Sequence, residues 1–217
     1  MRITLVCTVH NEMGLCNEHQ LIRILEAVSP DVIFEEIRPS DFDLHYGDAA
    51  RHTLEMRAVR KHVAVRPARQ VPVDEYIIPS NFRSEVDVLF DYVERNGIEY
   101  RALVAERDQK AHLLGFGYLN SPQFAALAKR IREALEATIV GSRRDDLNRV
   151  LSTWNGELRR RDESMLDNIY AFCRTSSFAE GVFLVGAGHM SSIIDGVERR
   201  MKTEATPVAW NTWTGPS

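Results

Sequence analysis

Four apolar runs in this chain end in residues that can bind a metal or move a proton. Leu5-Val6-Cys7-Thr8-Val9 leads into His10, and Leu184-Val185-Gly186-Ala187-Gly188 leads into His189. Val32-Ile33-Phe34 meets Glu35-Glu36, and Val71-Pro72-Val73 meets Asp74-Glu75. Two imidazoles and several carboxylates are the raw material of a divalent metal site or of general acid–base catalysis. Polar residues also stand at strand ends for solubility alone, so the recurrence at four runs carries the case for a site. Asp162 adds to it. On a helical reading it falls on the apolar stripe of Leu158, Met165, Leu166, Ile169 and Phe172. An unpaired carboxylate there would cost roughly several kcal/mol, so Asp162 needs either an arginine in a structural salt bridge or a functional partner.

Convergence of these residues depends on the elements beneath them. Ile3–Val9, Asp31–Phe34, Val71–Val73 and Val182–Val185 read as strands, with Pro207–Trp210 as a fifth. The first and fourth do not alternate apolar with polar, which marks strands covered on both faces. Asn17 is placed to cap a helix that ends at Ser29-Pro30, with Leu21, Leu25 and Val28 on one stripe. A second helix is expected over Ala49–Val63. From Phe82 to about Phe172 no strand is expected. Val86, Leu89, Phe90 and Val93 make one helical stripe there, and Leu127, Ile131, Leu135 and Ile139 another, with breaks at Gly97 and Gly115–Ser121. The expected fold is α/β, a mostly parallel sheet flanked by helices, with a helical insert at about 82–172 covering the carboxyl edge. The whole chain, 1–217, reads as one domain. In such a sheet the carboxyl ends of the strands share one edge, where ligands bind.

The chain's 217 residues are 44% hydrophobic and 27% charged, a globular balance that excludes a disordered or fibrous class. Its net charge of -4 argues against a nucleic-acid protein with a broad basic face. Cys7, Cys16 and Cys173 are too few for a disulfide framework, and no long apolar run or signal-like N-terminus stands out. The expectation is a cytoplasmic protein with no membrane and no nucleic-acid partner. His-Glu-x-x-His, Gly-x-Ser-x-Gly, Walker and Gly-x-Gly-x-x-Gly motifs are absent. Cys16-Asn17-Glu18-His19 has metal-like spacing but reads as surface at a helix start. Ser191 and Ser192 read as caps of the last helix.

Thr8-Val9-His10 and Gly186-Ala187-Gly188-His189 resemble the paired Gly-x-x-His elements of the TraB, Tiki, ChaN and erythromycin-esterase superfamily. Pro30-Asp31-Val32-Ile33-Phe34-Glu35-Glu36-Ile37 resembles the TraB-type segment in which a strand ends in glutamate. Aligned on Pro-Asp, that glutamate is Glu36. Arg161-Asp162 followed by Met165 resembles an Arg-Asp element on a late helix of the same superfamily. The chain differs from the pattern at Cys7, where the family has glycine, and at Thr8, where the esterases carry glutamate. The resemblance implies an α/β fold in two related halves with a site between them, and activities that include metal-dependent proteolysis and metal-independent ester hydrolysis.

The expected function is hydrolysis of a peptide, amide or ester bond, with a small molecule or peptide as substrate. His10, Glu36 and His189 would hold a divalent metal (Mn²⁺, Co²⁺ or Zn²⁺) or position a water. Asp162 would orient a histidine or accept a proton, and Arg161 would stabilise an oxyanion. The alternative is a non-catalytic module that senses a small ligand. Self-association into a homo-oligomer is compatible with either.

Overall fold

The computed structural model describes residues 1–47, 53–75 and 79–215. Five strands form one sheet in the order β3-β2-β4-β1-β5, and every neighbouring pair is parallel. The strands are β1 (Arg2–Thr8), β2 (Val32–Glu35), β3 (Arg69–Pro72), β4 (Glu180–Gly186) and β5 (Ala209–Thr212). β1, β2 and β4 are buried along nearly their whole length, as their unbroken apolar runs require. The edge strands β3 and β5 are only partly covered and start two residues away from the expected runs. Their polar residues, Arg69, Gln70, Asn211 and Thr212, are held by pairing rather than by burial, so hydrophobicity does not mark them. Pro72 is tolerated because β3 is an edge.

Helix α1 (Glu18–Val28) starts where Asn17 accepts a hydrogen bond from the Gln20 N–H, and it ends at Ser29 in the left-handed region. A short helix α2 (Phe42–Tyr46) precedes α3 (Leu54–Val65). The expected early part of α3, Ala49–His52, lies outside the described residues. From Ser80 to Thr175 the chain forms four helices, α4 (Ser80–Asn96), α5 (Ile98–Leu119), α6 (Pro122–Gly141) and α7 (Asp145–Thr175). The breaks fall at Gly97, within α5 at Gly115, and at Asn120-Ser121, as the glycines and the Ser-Pro signal require. The stripes of α4 and α6 meet Leu147, Val150 and Leu151 of α7 in a second small core beside the main one around the sheet. Helix α8 (Met190–Thr203) follows β4 with no side-chain cap, so Ser191 and Ser192 lie inside it rather than capping it. Cys16 is buried, its thiol against the Ala111 carbonyl, and is not the surface residue that its place at a helix start suggested. Among the described residues no helix is long and apolar enough to cross a membrane.

Asn120, within the expected break at Gly115–Ser121, is pinned. Its Oδ1 accepts from the Cys7 N–H at 2.7 Å, and its Nδ2 donates to the Cys7 carbonyl at 3.1 Å and to Phe116 O at 2.9 Å. β5 pairs with β1 only from Arg2 to Leu5, so the backbone of Cys7 has no strand beyond it on that side. The carboxamide takes the place of the missing strand. Asn120→Ala should therefore lower stability by about 3 kcal/mol, because a buried N–H and C=O lose their partners. Urea unfolding checks this, with a lower midpoint and an unchanged slope expected.

Candidate functional site

Because all five strands are parallel, His10, Glu36, Asp74 and His189 follow the carboxyl ends of β1, β2, β3 and β4 on one edge of the sheet. Helices deliver the rest. The Leu54 N–H at the start of α3 donates to the His10 carbonyl at 2.9 Å, which docks that helix end beside β1 and brings Glu55 to the imidazole. Helix α7 carries Arg161 and Asp162, and Asn168 of the same helix donates to the Val73 carbonyl at 2.9 Å, holding α7 against the end of β3.

The centre is an ion cluster around Glu36, whose side chain is 8% exposed. Its Oε1 accepts from Arg161 Nη2 at 2.5 Å and lies 3.4 Å from His189 Nε2. Its Oε2 accepts from the Gly186 N–H at 2.6 Å. Arg161 also donates from Nε to Asp74 Oδ2 at 2.9 Å. Asp162, fully packed on the apolar face of α7, pairs with His189 Nδ1, so its partner is a histidine and not the arginine of a structural bridge. A second histidine–carboxylate pair stands beside this cluster. His10 Nδ1 faces Glu55 Oε1 at 3.1 Å, and the Thr8 hydroxyl donates to the same oxygen at 2.8 Å. His10 is 60% exposed at its side chain and His189 only 12%, so the open imidazole is His10.

The two histidines line different hollows. His10 lines a cavity of about 250 Å³ together with Glu35, Glu36, His45, Glu55 and Arg161. His189 and Asp162 line a cleft of about 690 Å³ between α7 and the start of α8. Glu36 and its contact with His189 connect the two. Glu35 lines the cavity as well as Glu36, although neighbouring residues within a strand point to opposite faces. The alternation holds only inside a strand, and β2 ends at Glu35. There the Ile37 N–H donates to the Glu35 carbonyl at 2.7 Å, a γ-turn that swings Glu36 to the same side. Glu75 is exposed and touches none of these groups.

The charges follow from the geometry. Burial would lower the His189 pKa, but Asp162 and Glu36 outweigh it and carry it up to about 9, so this imidazole is a cation at neutral pH. Burial would raise Glu36, but His189, Arg161 and the Gly186 N–H hold it down at about 2. Glu35 has no cation, and burial pushes it up to about 7 despite hydrogen bonds from Tyr46 and Gln70. His10 is raised by its bond to Glu55 against the opposing effect of burial.

These shifts set an expected stability profile. Glu36, depressed below the usual carboxylate value of 4.5, stabilises above that pH and stops doing so as pH falls toward about 2. Glu35 and His189 are raised, so their contributions are complete below 4.5 and 6.5 and are lost as pH climbs through about 7 and about 9 respectively. Tm should peak near pH 5 and decline on both sides. Glu35→Gln should flatten the decline between pH 5 and 7, which thermal melts across buffers will read.

His10 and His189 stand in separate hollows, and Glu36 is engaged by partners of its own. Among the described residues no three His, Cys, Asp or Glu side chains form a group that would hold a metal ion. Both Glu36 oxygens are spent, and the Arg161 guanidinium supplies positive charge at Oε1. Glu55 and Tyr46 were invisible as site residues. Glu55 reads as an acid favouring a helix start, and Tyr46 as one more aromatic. No protein-family model, curated protein or solved structure matches this chain.

Proposed function

We propose that this protein hydrolyses a small carbonyl compound, an amide or ester, in the cavity at the ends of β1 and β2. The observation that supports this reading is the histidine–carboxylate pair His10–Glu55, open to a cavity that also holds Glu35 and Arg161. Glu55 fixes the imidazole through Nδ1 and leaves Nε2 to take a proton from water, as an oriented base does in hydrolases. The water oxygen then bonds to the carbonyl carbon, and the carbonyl oxygen gains negative charge. Arg161 borders the cavity, and its Nη1 makes no hydrogen bond to a described residue, so it is the donor for that oxyanion. When the C–N or C–O bond breaks, the leaving group takes the proton from His10. Glu35, partly protonated near pH 7, is a second proton source. Glu36, Asp74, His189 and Asp162 act as positioning residues that hold Arg161 and close the floor.

The kinship with the TraB, Tiki, ChaN and erythromycin-esterase superfamily is part of this proposal. So is a cytoplasmic setting, which three free buried cysteines suit. A second reading, a module that senses a small ligand, is favoured by one observation: the Glu36 cluster is already saturated by its own partners. The test is a panel of small amides, dipeptides and esters, with and without added Mn²⁺, Co²⁺ or Zn²⁺. Turnover without metal that vanishes in His10→Ala supports the proposal. Turnover only with metal assigns the chemistry to a metal centre instead. Absence of turnover together with tight binding of a panel compound favours the sensing module.

A further inference from the structure

Beside α1 the chain has a further hollow of different chemistry. A groove of about 500 Å³ lies between α1, the bend of α5 and the segment after β5. Leu15, Ile24, Ala27, Leu114, Phe116 and Trp213 supply apolar wall, and its volume is within the usual range for small-molecule sites. The groove exists because α5 breaks at Gly115, where φ is 65° and ψ is -151°, a conformation essentially reserved for glycine. A Cβ at that position would stand 2.9 Å from the Leu15 Cβ, so the bend also lets the loop after β1 press against the helix. The rim leaves Leu15 48% and Leu114 59% exposed, more apolar surface than an isolated solvated position explains.

The polar part of the groove has one sign. Arg23 and Gln20 line it and no aspartate or glutamate does, in a chain whose net charge is -4. Arg23 is exposed on α1 and makes no ion pair or hydrogen bond to a described residue. An apolar trough ending at an unpaired guanidinium complements a molecule with a hydrocarbon chain and an anionic head. We propose that this groove binds an anionic amphiphile of the medium-chain carboxylate class, the chain along Leu15, Ile24 and Trp213 and the carboxylate on Arg23. This does not depend on the hydrolase reading.

The test is calorimetric titration of the full chain with decanoate, decanol and decyltrimethylammonium, each below its micelle concentration. Decanoate should bind at least tenfold more tightly than the cationic chain. From octanoate to dodecanoate, each added methylene should tighten binding by roughly three- to fourfold while the groove has room. Arg23→Glu should weaken decanoate at least tenfold and leave decanol unchanged. Ala27→Trp, which fills the groove from an exposed helix position, should abolish all three. Because Arg23 is exposed, Arg23→Glu decides the matter alone if Ala27→Trp does not fold. Equal binding of the three chains, no response to Arg23→Glu, or no saturable binding would overturn the proposal. So would a concentration-dependent dimer in sedimentation that Ala27→Trp dissolves, since the groove would then be a contact between two copies.

Discussion

Arg161→Met should be the most destabilising single change at the sheet edge, lowering stability by about 3–5 kcal/mol. The side chain stands between Glu36 and Asp74, whose own side chains are 8% and 7% exposed, and it donates to both. Methionine preserves most of the volume of the stem, so lost packing is a small part of the effect. What remains is two buried carboxylates that have lost their shared guanidinium, with His189 still beside Glu36. Part of the loss should be recovered by acid, because protonating the stranded carboxylates removes the penalty. Urea unfolding at pH 7 and pH 5 measures both parts. A loss below about 1 kcal/mol at pH 7 would show that these charges are solvated and that the cluster is not the rigid floor described above.

His10→Ala should produce the opposite pattern, with stability within about 1 kcal/mol of the parent and turnover lowered by about 10²–10⁴-fold. The imidazole is 60% exposed, so its removal opens no core cavity. Its only described hydrogen bond is to Glu55, and that oxygen keeps the Thr8 hydroxyl. The measurement pairs kcat/KM, on whichever compound of the panel is turned over, with Tm. His189→Ala is the contrast. That ring bridges Asp162 and Glu36 in the interior, so losing it leaves both short of positive charge and should lower Tm markedly, whatever happens to turnover. If His10→Ala kept full turnover while His189→Ala lost it with Tm unchanged, the reacting histidine would be the buried one and the cleft along α7 would be the site.

Much of this arrangement follows from local sequence alone. The buried strands β1, β2 and β4 are legible because burial on two faces demands unbroken apolar runs. Asn17, Gly97, Gly115 and Ser121-Pro122 punctuate the helices by backbone chemistry that acts within a few residues. Asp162 betrays itself as a carboxylate on an apolar stripe. The parallel sheet then puts the strand-end residues on one edge with no information beyond element order.

Tertiary structure decided the rest, because the deciding contacts join residues far apart in the chain. That Asp162 meets His189 rather than an arginine depends on how α7 packs against the start of α8. That Glu35 and Glu36 share a cavity depends on a turn just past the strand, where alternation no longer applies. Glu55 becomes the partner of His10 only because α3 docks its first turn on the end of β1, and a glutamate in a first turn is otherwise an ordinary helix feature. The edge strands escape a hydrophobic reading because their hydrogen bonds hold them where little apolar area is buried. Charge is decided at the same level. Glu35 and Glu36 are neighbours of one type, yet burial without a cation raises the first, while Arg161 and His189, more than a hundred residues away in sequence, hold the second down.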